Sequence, residues 1–235
     1  MPPWCQTDAP LPGRGIAAIC ALESMMTAKT NLSAAIRQRR SIRRYRPDAI
    51  SRQIIERLLL AAIQAPSAHN RQPWRFTVID TLAGKEALAT AMGERLRIDR
   101  TADGDDRQAI EADVSRSHAR ITEAPVVIVV SVDGRNMDVY PDARRQNAEY
   151  LMAVQSAAMA TQNLLLAAEQ EGLGACIMCA PLFCQQIVVD ALNLPRDWQP
   201  QMLVTIGSPA NAGKDRPRLP LDAVVAWPSR RPTPA

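Results

Sequence analysis

Arginine is concentrated in one short segment of the chain. Arg39, Arg40 and Arg43 surround Ser41, and the run continues to Arg46. A guanidinium group binds phosphate through paired hydrogen bonds, and a hydroxyl group can add one more. The sequence has no GxGxxG or GxxxxGKS/T loop, so a phosphate site here would have to consist of side chains. The segment therefore predicts either a site for a phosphorylated small molecule or a solvated basic helix end.

A polar loop between a predicted helix and a predicted strand could carry further chemistry. Its residues of interest are Ser67, Ala68, His69, Asn70 and Gln72. The carboxamide of Asn70 can donate and accept hydrogen bonds, which suits a ring edge with both carbonyl and N–H groups, and Gln72 could assist it. His69 could act as a general acid, but the sequence offers it no evident partner, so a hydrogen-bonding role is favoured.

The cysteines allow a metal or redox interpretation. Cys176 and Cys179 form a CxxC motif, which is found in zinc sites and in redox disulfides. Zinc would need two more ligands, for which only Cys184 and the two histidines are available, so we expect no metal. With Cys5 and Cys20 the total is five, an odd number that does not suggest a disulfide framework and fits a reducing cytoplasm.

Composition limits the class of protein. The 235 residues are 47% hydrophobic, enough for one sizeable core. The net charge of +4 comes from interleaved acidic and basic residues, so we expect no nucleic-acid partner. No apolar run approaches the roughly 20 residues that a membrane span needs, so we expect no membrane segment. Residues 1–27 are predicted to be a disordered tail, with Met25 or Met26 as alternative starts, residues 28–226 one domain, and residues 227–235 a flexible end.

Hydrophobic periodicity predicts alternating helices and strands. A helix near Asn31 is followed by one that Ser51 caps and Pro66 closes. The later elements are a strand at 74–80, two helices between residues 82 and 123, a buried strand after Pro125, a helix at 143–171, a strand at 175–179, a helix from Leu182 to Leu192 and a strand at 201–206. These indicate an α+β layered fold around a mixed, mostly antiparallel sheet. The long helix is apolar around much of its circumference, which suggests that a second subunit covers part of it.

Five segments, in two groups, resemble the FMN-dependent nitroreductase family. They are RRSIRRYRPDAIS with APSAHNRQPWRF, and GLGACIMCAPLF with WQPQMLVTIGSPA and RPRLPL, and together they extend over about residues 31–225. VYPDARRQNAE and LFCQQIVVDALNLPRDWQP are most similar to the nitroreductase-like domain of the deazaflavin coenzyme maturation protein. The resemblance implies a three-layer α+β fold, an intertwined homodimer around a long central helix, FMN as cofactor, and NADH or NADPH as electron donor.

The resemblance also implies roles for particular residues. Those that match phosphate and ribityl contacts are Arg39, Arg40, Ser41, Arg43, Arg216 and Arg218. Ser67, Ala68, His69, Asn70 and Gln72 match a loop that crosses the dimer interface to the flavin. Cys176, Cys179 and Ala180 match the turn beside the redox edge of the flavin, where main-chain geometry matters most. This scheme requires no catalytic acid or base from the protein.

Two other functions are compatible with the same residues, and a third is disfavoured. One is a reductase that acts on a deazaflavin-type cofactor or its dehydro precursor, for which Arg144 and Arg145 could bind an anionic substrate. Basic residues are unfavourable at a helix N-terminus, which hints at such a role. Another is a dimeric flavin-binding module without turnover. The oxygen-dependent, flavin-destroying branch of the superfamily is disfavoured, because Ser41 stands where that branch has an aspartate.

Overall fold

The computed structural model describes residues 32–227. Within that range the chain forms six α-helices and four β-strands. The helices are α1 (Leu32–Gln38), α2 (Arg52–Ala62), α3 (Leu82–Ala102), α4 (Arg107–Thr122), α5 (Ala143–Gln170) and α6 (Gln185–Ala191). The strands are β1 (Trp74–Ile79), β2 (Val126–Asp133), β3 (Gly174–Met178) and β4 (Trp198–Gly207). Short 3-10 helices occupy Ala68–Asn70, Gly134–Asn136, Ala180–Phe183 and Leu221–Ala223.

The strands form one sheet in the order β1-β2-β4-β3, and every neighbouring pair of them is antiparallel. β2 lies inside the sheet and all of its residues are buried, as its run of β-branched residues predicts. Beyond β3, Ser41 forms an isolated parallel bridge with Ala175. The sheet is therefore antiparallel with one parallel bridge at its edge, in agreement with the expected mostly antiparallel sheet.

Helices cover both faces of the sheet and make three layers. Val126, Ile128 and Val130 of β2 pack in one hydrophobic cluster with residues of α2 and α5. Val127 and Val129 face the opposite way and pack with residues of α3, α4 and α6. The alternation along β2 therefore divides the core into two clusters, as side chains on a strand must.

Helix α5 is the longest helix of the described chain. Its 28 residues extend about 42 Å. Among the described helices, it alone is long and apolar enough to cross a membrane. One side of it, with Ala153, Ala157 and Leu164 among its residues, is buried in the hydrophobic core. On the opposite side, Leu151 and Met159 remain 48% and 40% exposed. This leaves a partly apolar side of α5 without cover in the single chain.

The sequence located most of these elements, with one correction. Ser51 caps α2 by accepting a hydrogen bond from the Ile54 N–H (3.4 Å), as expected. The predicted helix Leu182–Leu192 is divided, because Cys184 has φ −151° and ψ 42° and interrupts the helical backbone. This backbone conformation separates the 3-10 turn from α6, and the Cys184 side chain is buried. The predictions for residues 1–31 and 228–235 concern segments outside the described residues.

Candidate functional site

A basic cleft of about 250 Å³ lies between the segment that follows α1 and the C-terminal segment. Its lining residues are Arg39, Arg40, Ser41, Arg43, Lys214, Arg216 and Arg218. Six of these seven are cationic and none is acidic. The structure thus brings together two arginine groups that are far apart in the sequence. Lys214 was missed by the sequence analysis, although it stands in the same basic segment as Arg216.

Arg40 differs from the other residues of the basic cleft, because its donors are largely used. Its Nη1 donates to the carbonyl oxygens of Arg37 (2.6 Å) and Gln38 (2.9 Å), which end α1. Its Nη2 forms an ion pair with Asp215 at 3.0 Å. Arg40 therefore satisfies carbonyl groups at the helix end and ties the C-terminal segment to it. The predicted phosphate contact of Arg40 has few donors left to supply it.

Hydrogen bonds fix the segment after α1 against the edge of the sheet. The Ile42 N–H donates to the carbonyl oxygen of Ala175 at 3.1 Å. The Tyr45 hydroxyl donates to the carbonyl oxygen of Ile42 (2.6 Å) and shares a hydrogen bond with the Thr205 hydroxyl (2.7 Å). Burial raises the pKa of Tyr45 well above its usual value, so the hydroxyl keeps its proton. These contacts hold the backbone from which Ser41 and Arg43 extend.

Two glycines allow this close approach. A Cβ on Gly174 would lie 2.6 Å from the Cβ of Ile42, and one on Gly207 would lie 2.8 Å from the Cβ of Tyr45. Real Cβ atoms do not approach so closely, so any other residue would displace the segment. The position of the basic cleft therefore depends on these two residues of β3 and β4.

The Cys176 thiol of β3 is influenced by two arginines of the basic cleft and by one further cation, Arg120. Burial raises the pKa of the Cys176 thiol, while the charges of Arg43, Arg120 and Arg39 act in the opposite direction. Arg120, in the last turn of α4, is thus near the same site. The sequence analysis missed it, since nothing in a charged surface helix distinguishes one arginine from the others.

The CxxC motif forms neither a disulfide nor a metal cluster in the described part of the chain. Cys176 is buried in β3, whereas Cys179 is exposed in the turn after it, and both are free thiols. Within residues 32–227 no three His, Cys, Asp or Glu side chains are grouped to hold a metal ion. The turn itself is held by the Leu182 N–H, which donates to the Cys179 carbonyl oxygen at 3.1 Å, and it includes Ala180.

The predicted flavin loop, residues 67–72, has an unusual backbone. His69, Asn70 and Gln72 have φ values of 49°, 52° and 49°, a region that side chains disfavour. The Gln72 N–H donates to the Ser67 Oγ at 3.1 Å, and the Gln72 Nε2 donates to the Asn70 Oδ1 at 3.3 Å. The Ala68 N–H donates to the hydroxyl of Ser156 in α5 at 3.2 Å. These bonds present the two carboxamides together.

The flavin loop and the basic cleft lie at opposite corners of the sheet. The loop precedes Trp74, which pairs with Val132 near the end of β2. Ser41 lies beyond β3, beside Ala175, which is aligned through Ile206 with Val126 at the start of β2. Strand spacing and rise separate the two corners by about 19 Å across the sheet and about 20 Å along it. A single chain therefore does not place both groups around one phosphate-bearing ring.

An apolar cavity of about 290 Å³ lies beside the turn after β3. It is bounded by α3, α4 and this turn, with Met92, Ile121, Met178 and Phe183 among its lining residues. At its border, Arg95 and Asp99 form an ion pair at 2.6 Å. The sequence analysis did not predict this cavity, which is formed by residues from three separate elements.

Arg144 and Arg145, the predicted substrate residues, do not line the basic cleft. Asp142 caps α5 by accepting from the Arg145 N–H at 2.9 Å, and it also pairs with the Arg145 side chain. The Arg145 guanidinium lies 5.0 Å from the centre of the Tyr140 ring. Arg145 is thus occupied within its own helix start, while Arg144 is exposed.

Comparison with known proteins agrees with this architecture. Residues 36–208 match the nitroreductase family. The chain belongs to that family. Family membership makes the protein an oxidoreductase, and the three-layer fold with its antiparallel sheet is the nitroreductase fold.

Individual relatives support the same assignment. An NADH dehydrogenase of Thermus thermophilus is 33% identical over 86% of this chain and 97% of its own length. A 5,6-dimethylbenzimidazole synthase of Rhodospirillum rubrum is 30% identical over 88% of this chain and 93% of its own. A solved structure described as a nitroreductase of Desulfovibrio desulfuricans in complex with FMN has 28% identity and a TM-score of 0.65, over 88% of this chain and 99% of that one.

Proposed function

We propose that the protein is an FMN-dependent oxidoreductase that transfers reducing equivalents from NADH or NADPH to an organic acceptor. The observation that carries the proposal is the basic cleft, in which cations from both ends of the described chain surround Ser41 without any lining carboxylate. Such a set of donors suits the dianionic phosphate of FMN. The nitroreductase relative in complex with FMN and the NADH dehydrogenase relative support the same cofactor and donor.

The residues present fit FMN at its phosphate end. Arg39, Arg43, Arg216 and Arg218 would bind the phosphate oxygens, and the Ser41 hydroxyl would add a hydrogen bond. Arg40 would hold the two cationic segments together through its contacts with α1 and Asp215. Bound FMN would supply the hydride chemistry, and the protein would bind and orient it. This division of labour agrees with a site that contains no paired general acid and base.

The proposed active form is a homodimer. In one chain the flavin loop is too far from the basic cleft to reach the ring of an FMN held there, so the loop of a second copy would complete the site. Exposed apolar residues on α5 and in the C-terminal segment, such as Leu151, Met159, Leu219 and Trp227, offer a surface for that second copy. The two sites of a symmetric dimer would then each take residues from both subunits.

The proposal is tested by the visible spectrum of the purified protein. We expect bound FMN, bleaching of its absorbance by NADH or NADPH without oxygen, and recovery when a quinone or nitroaromatic acceptor is added. Protein that remains colourless after incubation with FMN would contradict the cofactor. Bound FMN that neither nicotinamide bleaches would identify a flavin-binding module without turnover.

Two alternative reactions can be tested separately. The synthase relative is named for 5,6-dimethylbenzimidazole, whose dimethylbenzene ring is also part of flavins. If this chain converted its flavin into a product with that ring, reduction in air would destroy the flavin absorbance irreversibly, whereas our proposal predicts full recovery. A reductase of deazaflavin-type cofactors would instead show saturable binding of that anion, weakened in Arg144→Ala. Asp142 already occupies Arg145, which does not favour this second reaction.

A further inference from the structure

Asp133 is a buried carboxylate at the end of β2, outside the basic cleft. Its side chain is 1% exposed, and a buried charge is costly unless it is paired. Arg135 contacts it at 2.7 Å and Arg75 at 3.0 Å. These two arginines hold the pKa of Asp133 at about 2, so the carboxylate is charged at neutral pH. Arg135 also faces Asp197, at 3.8 Å.

The two arginines that pair with Asp133 have different second contacts. Arg75 also donates through Nη1 to the carbonyl oxygens of Gln72 (3.1 Å) and Trp74 (2.8 Å). Arg135 instead extends toward solvent and is 59% exposed. Arg75 therefore connects the buried carboxylate with the flavin loop, whereas the side-chain contacts of Arg135 are with Asp133 and Asp197.

The backbone of Asp133 holds the same end of the loop. Its N–H donates to the carbonyl oxygen of Pro73 at 2.8 Å, one residue beyond Gln72. Asp133 thus contacts the Pro73 carbonyl group through its main chain, and it is linked to the Gln72 carbonyl group through its side chain and Arg75. This is the point at which the loop joins β1.

The connection matters because the loop is strained at Gln72. Gln72 has a left-handed backbone, with φ 49°, and a residue with a side chain keeps this conformation only where surrounding contacts enforce it. The Gln72 side chain in turn hydrogen-bonds the Asn70 carboxamide. Fixing the backbone of Gln72 therefore also fixes the orientation of Asn70.

A second buried carboxylate is linked to the other side of the loop. Glu149 of α5 is 1% exposed, and its Oε1 accepts from the Asp138 N–H at 3.0 Å. Asp138 forms an ion pair with Arg71 of the loop at 2.7 Å. Asp133 and Glu149 are the two buried carboxylates of the described chain, and both are connected to this loop.

We propose that Asp133 is a positioning residue that acts through Arg75 to hold the flavin loop in the strained conformation that presents Asn70 and Gln72 to the flavin. The inference rests on the proposed function, since it assumes that this loop meets FMN. It concerns residues that do not touch the cofactor themselves. Asp133 and Arg75 set the geometry of those that do.

The test compares Arg75→Met with Arg135→Met in the full-length protein. Each variant removes one arginine from Asp133 and leaves the other, so both make a similar change in the charge around the carboxylate. We expect Arg75→Met to weaken FMN binding about tenfold and to shift the visible absorption bands of the bound flavin. Amide hydrogen exchange in residues 67–72 should become several-fold faster. Arg135→Met should leave the flavin bands unchanged and FMN binding within about twofold.

The possible outcomes separate this inference from the proposed function. Wild-type protein that binds no FMN would refute the proposed function and this inference with it. FMN-binding protein in which the two variants have the same bands and loop exchange would refute this inference alone. If Arg75→Met does not fold, Arg75→Lys replaces it, because a single ammonium group can keep the ion pair but cannot span both carbonyl oxygens. In that case a wild-type spectrum in Arg75→Lys would overturn the inference.

Discussion

Replacing Arg43 with alanine should weaken FMN binding by roughly one order of magnitude. Arg43 is one of six cations that line the basic cleft, of which Arg40 is already paired with Asp215. A hydrogen bond to a charged group contributes about 1.5–3 kcal/mol, and about 1.4 kcal/mol corresponds to a factor of ten in affinity. The remaining cations still attract the phosphate, so we expect the lower part of that range, about 10- to 30-fold.

Arg44→Ala is the matched control for this change. Arg44 is the next residue, carries the same charge and is exposed, but it does not line the basic cleft. Fluorescence titration of the apoprotein with FMN measures both variants, because binding quenches flavin emission. Raising the salt concentration should weaken FMN binding to wild type more than to Arg43→Ala, because salt screens the contact between Arg43 and the phosphate, which the variant lacks. Equal dissociation constants for the two variants would refute the phosphate role of Arg43.

Three further predictions concern other contacts. A Cβ in Gly174→Ala would lie 2.6 Å from that of Ile42, so this variant should lower the free energy of unfolding by about 1–3 kcal/mol in denaturant titrations and should also weaken FMN binding. Gly134→Ala, with open space around it, should change neither. The folded-state pKa of Asp133, about 2, lies below its unfolded value. Asp133 should therefore add about 2–3 kcal/mol to the free energy of unfolding above pH 5, and this contribution should be lost between about pH 4 and 2. Urea unfolding followed by tryptophan fluorescence should show this loss in wild type, and a loss of equal size in Asp133→Asn would contradict it. If the proposed homodimer uses the exposed side of α5, Leu151→Arg should halve the mass found by light scattering. Leu82→Arg, on an exposed position of α3, should leave that mass unchanged.

Much of the fold could be predicted from the sequence, because its signals are local. The run of β-branched residues after Pro125 predicts the buried strand β2, and Ser51 and Pro66 delimit the region of α2. The predicted continuous helix from Leu182 to Leu192 was wrong, since periodicity does not show that the backbone leaves the helical region at Cys184.

The candidate site was only partly predictable. Local motifs pointed to Arg39, Ser41 and Arg43, and the family resemblance added Arg216 and Arg218, which the structure places in the same basic cleft. Arg120 was missed because its proximity to Cys176 arises only when α4 packs on the sheet. The occupied donors of Arg40 and the link from Asp133 to Gln72 are likewise tertiary features without a sequence signature.

The central claim is that the basic cleft binds the phosphate of FMN, and titration of the apoprotein with FMN and with riboflavin tests it most directly. The two ligands share the same ring and differ in the phosphate group. The account predicts that FMN binds at least about 100-fold more tightly than riboflavin, as expected for two or more charge-assisted contacts, and that Arg43→Ala reduces this ratio. Equal affinity for the two ligands, or a ratio that Arg43→Ala does not change, would contradict it.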